Sequence, residues 1–487
     1  MKQLLEIDQP TTTGFRATTS TLEVNKKKKV IILGAGVTGL SAGVRFLENG
    51  CDVCIVEKAE HVGGLAKTVV RENYLLDLGP HHLYSKNEST LNQMLDLFEK
   101  DEIVPISLHV KMFFHDRFVD YPLKARTILS QMGLKHAFYG AMSYIWTTFR
   151  NLFGLAFKEK SFHDWARNNF GDYLYNIFFK PYTEQFWGVP CEEMSIDCIP
   201  QVKKQSFMQT LKKVFLEKFT NERLSASEHD IAWEKSANFY PIKGFGAVAE
   251  KLKDSFLSKG GTLRLNCNIS ELVTNENNSY TLHYNSNGVE SFEEAEYVVS
   301  SIPVPSLFQI LKPVPPTSVV LSADSLKYLS AVVLYIVIHD RDILDTSFVY
   351  MVGRPYNRLS NTNRIHPNLC PEGENMLACE MTCSFNSETW KSSDEEIFEK
   401  CLGHLESDKL ISREEVKKIF TVRAKNAYPF YRLGYKENLS AVFEYFKNMP
   451  NLALVGRVGA FKYMDTHECL EDTANLVEEL KNQGTIR

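Results

Sequence analysis

Residues 30–57 read VIILGAGVTGLSAGVRFLENGCDVCIVE and contain several structural signals in a fixed order. The wholly apolar run at 30–33 is typical of a strand buried on both faces of a parallel sheet. Glycines then open a helical pattern that ends at Gly50, and a second apolar run leads to Glu57. Strand, glycine-rich turn, helix and strand in this order predict a βαβ unit that binds a dinucleotide.

The glycine-rich turn assigns a physical task to each residue. Gly34 permits the tight turn, Gly36 lets the backbone approach a pyrophosphate, and Gly39 lets the helix pack closely on the strand. The first helical residues, Val37 and Thr38, offer N–H groups and the positive end of the helix dipole to phosphates. We therefore expect these five residues to contact the nucleotide.

Glu57 closes the unit 18 residues after Gly39, where its carboxylate can accept hydrogen bonds from a ribose diol. Gly63 and Gly64 follow soon after and remove side chains where a loop must pass the pyrophosphate. The stretch from Glu57 and Lys58 to this glycine pair resembles the extended signature of FAD-binding amine oxidases and their relatives. The resemblance implies FAD as the cofactor, with Lys58 in its binding loop.

A second match is the tripeptide Gly79-Pro80-His81, which follows a strand-like run ending at Asp77. It is similar to the segment that UDP-galactopyranose mutases and protoporphyrinogen-oxidase-like flavoproteins place beneath the flavin ring. The resemblance implies that these three residues contact the cofactor. For His81, a core or surface position is the alternative.

Residues 451–467 carry a third match, an apolar strand that runs into glycines and then into a helix. The block resembles the mutase pattern G-R-x-G-x-Y-R-Y-x-D. Backbone N–H groups and charge at such a helix start favour the flavin edge that becomes negative on reduction. The cofactor contacts that this resemblance implies are Gly456, Arg457, Asp465 and Thr466. Separately, residues 239–273 resemble a flavoprotein segment in which a strand near Ile269 contacts the adenine.

Residues 85 to about 230 abandon strand–helix alternation for helical patterns crowded with aromatic side chains. Within them, residues 170–188 resemble a Tyr-Thr-x-x-x-Trp-Gly region that lines the substrate site of the same flavoproteins. The alternative for the aromatic residues is a position in the core, because aromatic side chains at helical spacing commonly pack there. Arg358, further along the chain, is a candidate substrate contact by the same resemblance, and a surface salt bridge is the alternative for it. The candidate catalytic residues, here and further along the chain, are Tyr182, Trp187, Arg358, Tyr431 and Tyr463.

The chain departs from the sugar-nucleotide mutases in one place. They carry an arginine soon after this segment to clamp a diphosphate, whereas this chain has Lys203 and Lys204. A lysine neutralises phosphate as a point charge but cannot supply the planar fork of a guanidinium. This departure weakens the prediction of a UDP-sugar substrate.

Together the resemblances predict an α/β protein, with a Rossmann-like FAD-binding domain of the glutathione-reductase-like fold and an inserted helical and mixed α+β substrate domain. The predicted FAD-binding domain is formed by residues 29–100, 236–310 and 426–487. The predicted substrate domain is mainly helical over residues 101–235 and forms a sheet over residues 311–425. Residues 1–28 are predicted to be a flexible tail.

Composition limits the partners and the compartment. The formal net charge is −5 without a basic stripe, so we expect a small-molecule substrate and no nucleic acid. Ten scattered cysteines and a leader without signal-peptide features favour the cytoplasm. A strand would point the thiols of Cys51 and Cys54 to different faces, so we expect neither a redox pair nor a metal site there.

No run reaches the roughly 18–20 uninterrupted apolar residues that span a bilayer. Residues 138–157 come nearest but include Arg150. They are predicted to form an aromatic-rich helix pair that covers a pocket, with a peripheral contact to a membrane surface as the alternative. Formation of a homodimer stays open.

The leading hypothesis is an FAD-dependent oxidoreductase of the amine oxidase and protoporphyrinogen oxidase-like type, which transfers hydride from a small organic substrate to flavin N5. The chain has no evident Ser/His/Asp triad, metal cluster or paired-carboxylate motif, which suits chemistry supplied by a cofactor. The first alternative is a UDP-galactopyranose mutase-like non-redox flavoenzyme acting on a nucleotide sugar. The second is a flavin-binding protein without turnover.

Overall fold

The computed structural model describes residues 27–121, 127–198 and 238–486. Residues 1–26 of the predicted tail lie outside the described residues, as do Lys203 and Lys204. The described chain divides into two compact units. The first unit is formed by residues 27–66, 248–326 and 436–486, and the second by residues 67–247 and 327–435, apart from the gaps in the description.

The described strands, in chain order, are β1 (Lys29–Leu33), β2 (Asp52–Val56), β3 (Thr68–Arg71), β4 (Tyr74–Asp77), β5 (Ile103–Ile106), β6 (Val110–Phe114), β7 (Arg117–Asp120), β8 (Asn238–Pro241), β9 (Thr262–Arg264), β10 (Cys267–Thr274), β11 (Tyr280–Ser286), β12 (Val289–Ala295), β13 (Tyr297–Ser300), β14 (Leu311–Lys312), β15 (Tyr328–His339), β16 (Phe348–Met351), β17 (Arg358–Asn361), β18 (Glu374–Ser384), β19 (Val416–Pro429) and β20 (Leu452–Leu454).

The described α-helices are α1 (Val37–Glu48), α2 (Glu88–Leu95), α3 (Leu134–Leu152), α4 (Phe162–Leu174), α5 (Lys180–Trp187), α6 (Ala247–Ser258), α7 (Val304–Ile310), α8 (Thr317–Ser325), α9 (Glu388–Lys391), α10 (Asp394–Ser407), α11 (Tyr435–Phe446), α12 (Gly456–Gly459) and α13 (Thr466–Asn482).

The first unit contains a parallel sheet whose order among the described strands is β20-β13-β1-β2-β9. In both β1 and β2 one exposed polar residue precedes four buried apolar residues, as their uninterrupted apolar runs predict. Helix α1 connects these two strands. The predicted βαβ unit is therefore present at the centre of the sheet.

Remote parts of the chain complete this sheet. Val30 of β1 pairs with Tyr297 of β13, and Val298 of β13 pairs with Leu452 of β20. A second sheet of the first unit has the order β12-β11-β10-β14 in the described chain. Three separate segments are therefore needed to form the first unit, as a domain interrupted by insertions requires.

The second unit contains a long mixed sheet, ordered β19-β15-β18-β17-β16-β6-β7 across the described strands. Ten consecutive residues of β15 are buried, because both faces of this central strand are covered. Helix α10 packs on the sheet through Ile397, Cys401 and Leu405, which share one face at helical spacing.

The helical part of the second unit begins with a capping box at Ser161 and Asp164, which starts α4. Gly171 kinks the chain with φ +79°, and a Cβ there would lie 2.9 Å from the carbonyl oxygen of Ser143. The chain continues through a π-helical turn, residues 175–179, into α5.

Residues 138–157 do not form the predicted helix pair. They belong to a single helix, α3, followed by a turn at residues 153–154 and by residues without regular secondary structure. Gly140 does not break the helix but lies inside α3 against Leu174, whereas Gly154, with φ +73°, lies just beyond its end.

A buried carboxylate, Asp77, joins separate parts of the second unit. It accepts hydrogen bonds from the hydroxyls of Thr68 (2.5 Å) and Tyr240 (2.5 Å) and from the backbone N–H of Phe245 (3.1 Å). Burial raises the pKa of Asp77 to about 6, although these three hydrogen bonds oppose the shift. The network ties β4 to β8 and to the turn that follows it.

Replacement of Gly39 by alanine should open the βαβ unit. A Cβ at Gly39 would lie 1.9 Å from the carbonyl oxygen of Gly34, so backbone must move, and we expect a loss of about 3 kcal/mol or more. Hydrogen exchange of the peptides that contain β1 and α1 measures this opening.

The control for this experiment is Gly403→Ala in α10. Gly403 is exposed and a Cβ there would meet no other atom, so the substitution should stabilise its helix by about 0.5–1 kcal/mol.

Asp77→Asn should flatten the pH dependence of stability. Because the folded pKa of about 6 lies above the usual 3.8, the wild-type contribution is complete below about pH 4 and is lost as pH rises through 6. We expect the unfolding free energy to fall by about 2–3 kcal/mol across that window in the wild type only, at about 1.4 kcal/mol per pKa unit. Urea unfolding from pH 4 to 7 measures it.

The exposed Asp101→Asn substitution is the matched control for this experiment and should keep the wild-type slope. An Asp77→Asn protein with an unchanged slope would show that another group causes the pH dependence.

Candidate functional site

The first unit presents the N-terminus of α1 without a cap. Gly36 occupies the cap position with no side-chain hydrogen bond, and the first turn of the helix contains no acidic residue. Gly34 has φ +99°, a conformation that favours glycine. The N–H groups of the first turn are thus left available for an anion.

Glu57 is held against this turn by its own carboxylate. One oxygen, Oε2, accepts a hydrogen bond from the N–H of Ala35 (2.7 Å), and Oε1 accepts one from the N–H of Ala59 (2.8 Å). A carboxylate has about four acceptor positions, so two remain for the hydroxyls of a ribose. The structure therefore suits the acceptor role predicted for Glu57.

The second glycine pair packs on the first. Gly36 and Gly63 form a parallel bridge, and the N–H of Gly63 donates to the carbonyl of Ala35 (2.9 Å). Gly64 has φ +55°, and a Cβ on it would lie 3.3 Å from the Cα of Gly36. A side chain at Gly64 would fill the space beside the turn. Lys58, which was also predicted to contact the cofactor, is exposed to solvent.

The C-terminal block reaches the same turn within the first unit. A Cβ on Gly456, which has φ +74°, would lie 2.4 Å from the hydroxyl of Thr38 in α1. The N–H of Gly456 donates to the buried carboxylate of Asp472 (2.8 Å). The glycine is therefore required for contact with α1, a reason that the motif alone does not reveal.

Helix α13 differs from α1 at its N-terminus. Asp465 caps it in a capping box with Glu468, so Thr466 begins a helix whose own residues satisfy part of the first turn. The guanidinium of Arg457 lies 4.4 Å from the ring centroid of Tyr463. In β10, Ile269 pairs with Tyr284 next to a register shift.

In the second unit, three neighbouring strands align polar residues in one row. Tyr350 of β16 pairs with Arg358 of β17, and Arg358 pairs with Glu380 of β18. Directly opposed residues on adjacent strands project from the same face of a sheet. The register thus brings together side chains that are far apart in the sequence.

Arg358 and Glu380 form an ion pair that is largely shielded from solvent. The Nε of Arg358 donates to Oε2 of Glu380 (3.1 Å), as does Nη2, and the hydroxyl of Tyr428 donates to Oε1 (3.0 Å). The side chains of Glu380 and Arg358 are 4% and 21% exposed. Burial alone would lower the pKa of Arg358, but the nearby carboxylate outweighs it and the pKa is raised.

Tyr182 lies beside this ion pair. Its ring meets that of Tyr350 edge to face, with 5.7 Å between centroids. Burial raises the pKa of Tyr182 well above its usual value, and the neighbouring Tyr350 adds to the effect. Its hydroxyl is therefore protonated at neutral pH and can donate a hydrogen bond. We call Tyr182, Tyr350, Arg358, Glu380 and Tyr428 the tyrosine–ion-pair cluster.

The predicted Gly79-Pro80-His81 turn adjoins this cluster. Gly79 has φ +114°, and a Cβ on it would lie 3.0 Å from Oε2 of Glu380 and 3.5 Å from Nη2 of Arg358. His81 stacks on Phe245 with 4.9 Å between ring centroids. The assignment of the turn to the cofactor stays a prediction.

Two predicted catalytic residues of the second unit, Trp187 and Tyr431, are not members of the tyrosine–ion-pair cluster. Trp187 belongs to an apolar cluster and stacks on Phe430 with 5.8 Å between ring centroids. The ring of Tyr431 packs against Tyr435 at 4.8 Å. Trp187 thus adopts the core position that its helical spacing left open.

Sequence reasoning missed Glu380, Tyr350 and Tyr428 as cluster members. Glu380 had a detectable signal, since it is the one carboxylate inside the apolar run MLACEMTC. A buried charge needs a partner, which could have led to Arg358. Tyr350 had no such signal in this aromatic-rich chain, whereas Tyr428 lies in a stretch, residues 426–432, that resembles the segment of related flavoproteins that sends a tyrosine toward the flavin.

The C-x-x-C pair of the first unit has the properties of core cysteines. Cys51 and Cys54 are buried and unbonded, and burial raises their pKa values to about 11 and about 12. Their thiols are therefore neutral and weakly nucleophilic at physiological pH. Within the described ranges, no group of three or more His, Cys, Asp or Glu side chains could hold a metal ion.

Comparison with known proteins supplies the fold and the family. A solved structure of reduced UDP-galactopyranose mutase superimposes with a TM-score of 0.75 over 94% of this chain and 94% of its own, at 16% identity. A solved structure of a putrescine oxidase variant superimposes with a TM-score of 0.63 over 94% of this chain and 99% of its own, at 14% identity. These matches confirm the predicted Rossmann-like fold with a substrate domain.

The similarities in sequence are shorter. Coproporphyrinogen III oxidase of Staphylococcus aureus is 23% identical over 272 residues, which are 53% of this chain and 57% of that protein. The 4,4'-diaponeurosporene oxygenase of Staphylococcus haemolyticus is 41% identical over 54 residues, 11% of either chain. The chain thus aligns with about a tenth to somewhat over half of the length of these curated relatives.

The family model for flavin-containing amine oxidoreductases matches residues 37–435, a span that starts at the first residue of α1 and ends at the first residue of α11. It covers the second glycine pair, the Gly79 turn and the whole tyrosine–ion-pair cluster. This chain belongs to the flavin-containing amine oxidoreductase family, as its sequence motifs predicted.

Proposed function

We propose that the protein is an FAD-dependent oxidoreductase that removes hydride from a C–H or N–H bond of a small organic substrate. The family implies a flavin, and the features of the first unit favour its dinucleotide form. An uncapped helix start suits a pyrophosphate, and the spare acceptor positions of Glu57 suit a ribose. FMN lacks the second nucleotide that this arrangement would bind.

The residues of the first unit would hold FAD as follows. The turn at Gly36 and the N–H groups that open α1 take the pyrophosphate, Glu57 binds the ribose, and the bare backbone at Gly64 leaves room beside them. Bound FAD supplies the two-electron acceptor that no side chain of the chain can supply. The protein contributes binding, orientation and exclusion of water.

The observation that carries the proposal is the neutrality of the tyrosine–ion-pair cluster. The guanidinium of Arg358 is already bonded to Glu380, so the pair has no net charge to offer a diphosphate. A buried carboxylate 3.1 Å from Nε would also repel a phosphate oxygen. Tyr182 and Tyr350 add ring surface, and Tyr182 adds a protonated hydroxyl, which together suit an uncharged organic substrate.

This neutrality separates the proposal from the mutase alternative. If the protein were a mutase that used Arg358 as a ligand for the phosphates of a nucleotide sugar, removal of Glu380 would improve binding of the nucleotide. For the proposed oxidoreductase, Glu380 compensates the buried charge of Arg358, so its removal would impair the enzyme.

Glu57→Ala should weaken FAD binding by about 10- to 100-fold, because it removes charge-assisted hydrogen bonds to the ribose. Calorimetric titration of the deflavinated protein with FAD measures the change. Glu60→Ala, at a carboxylate that is 76% exposed, is the matched control and should bind FAD normally. Equal affinity for FAD in both variants contradicts the assignment of Glu57, and a protein that takes up no FAD contradicts the proposed function.

Anaerobic addition of substrate alone should bleach the flavin absorbance at a rate that saturates, and admission of an acceptor should restore it. The panel to be tested contains amines, porphyrinogens, polyenes and UDP-galactose. Glu380→Gln should slow bleaching by about tenfold or more, since it leaves the buried charge of Arg358 uncompensated. Turnover of UDP-galactose only after chemical reduction of the flavin, with no net oxidation, would replace the proposal by a mutase.

A further inference from the structure

The small and polar residues of helix α3 face the rest of the second unit. Gly140 is buried against Leu174. The hydroxyl of Ser143 accepts a hydrogen bond from the N–H of Tyr173 (3.0 Å), and the amide of Asn151 donates to the carbonyl of Asn168 (2.8 Å). The polarity is opposite to that of a surface helix in a globular protein, whose apolar face normally packs inward.

The opposite face of α3 is apolar and exposed. Its large side chains recur every three or four residues, so they form one stripe along a helix about 28 Å long. Each of the following is at least 50% exposed: Phe138, Met142, Ile145, Trp146, Phe149 and Leu152. We call this stripe the α3 apolar face.

Aromatic rings join into a continuous surface at the C-terminal end of this face. The rings of Trp146 and Phe149 stack with centroids 6.0 Å apart, and those of Phe149 and Phe153 lie 4.3 Å apart. Contiguous apolar patches of this kind mark interaction sites, because single exposed apolar residues are normal but a continuous stripe is costly in water.

Positive charge flanks the α3 apolar face. Residues 134–160 contain four basic residues and one acidic residue, a formal net charge of +3 in a chain of −5. Lys135 lies exposed at one end of the face, and Lys158 and Lys160 lie exposed at the other. The single carboxylate, Glu159, accepts a hydrogen bond from Asn168 (3.2 Å).

No helix in the described part of the chain is long and apolar enough to cross a membrane. We propose that the α3 apolar face lies in the interface of an anionic lipid bilayer, with Trp146 and Phe149 among the acyl chains and Lys135, Lys158 and Lys160 at the headgroups. An apolar helix face rich in Trp, Phe and Leu and flanked by lysines has the composition of interfacial helices. Lysines near an anionic surface add attraction.

Charge argues against a second copy of the chain as the occupant. In an antiparallel symmetric pair, Lys135 of one copy would meet Lys158 and Lys160 of the other. In a parallel pair each lysine would meet its own counterpart. Both arrangements oppose like charges at the rim, whereas an anionic bilayer complements them.

Co-sedimentation of the full chain with vesicles tests the proposal. We expect binding to vesicles of phosphatidylcholine mixed with phosphatidylserine, weaker binding to phosphatidylcholine alone, and a loss of affinity as salt is raised. The double variant Trp146→Ser/Phe149→Ser should bind at least about tenfold more weakly. The double variant Lys158→Glu/Lys160→Glu should bind anionic vesicles at least about tenfold more weakly, because each lysine near an anionic surface contributes about fivefold to the affinity.

Phe292→Ser is the matched control, because Phe292 lies on β12 of the first unit and is 62% exposed, as is Trp146. It should bind vesicles like the wild type. A wild-type protein that does not bind anionic vesicles overturns the proposal, as does equal binding by the Trp146/Phe149 variant. A lipid-free dimer that this variant converts to monomers assigns the face to a second copy instead. All substituted positions are exposed, so each variant should retain the wild-type circular dichroism spectrum.

Discussion

The first unit depends on the close approach of backbone to backbone around the turn that begins at Gly34. A single Cβ at Gly39 would lie 1.9 Å from the carbonyl oxygen of Gly34, which leaves no room for adjustment of a side chain. The same closeness lets Gly63 bond to Ala35 and lets Gly456 contact Thr38. Glycine is needed at position 39 because a Cβ would strike the Gly34 carbonyl, and at position 456 because a Cβ would lie 2.4 Å from the hydroxyl of Thr38.

In the second unit a different constraint operates, the compensation of buried charge. An isolated guanidinium or carboxylate at the position of Arg358 or Glu380 would be costly, but together they bond to each other and to Tyr428. Pairing keeps the region neutral without making it apolar. On the proposed function, a substrate held beside this region would be selected by shape and hydrogen bonding rather than by charge.

The sequence predicted features whose residues lie close together along the chain, and it did not predict contacts between residues that are far apart along the chain. The turn at Gly34–Gly39 and the acceptor Glu57 lie within one βαβ unit, so local spacing was sufficient. The tyrosine–ion-pair cluster depends on the register of β16, β17 and β18, and no local pattern contains that register. Gly456 was recognised, but its contact with Thr38 was not, because the two residues are far apart in the sequence and meet only in the folded chain.

Helix α3 shows why periodicity can identify an amphipathic helix and still leave its orientation open. The spacing of Phe138, Met142 and Ile145 predicts an apolar face, and burial of that face is the usual outcome. The opposite face, however, contains Gly140 and Ser143, which permit closer packing on α4 than the large side chains would. Close packing and hydrogen bonds thus hold the polar face against the protein. The apolar face is left outside, where its cost in water makes sense only if another surface covers it.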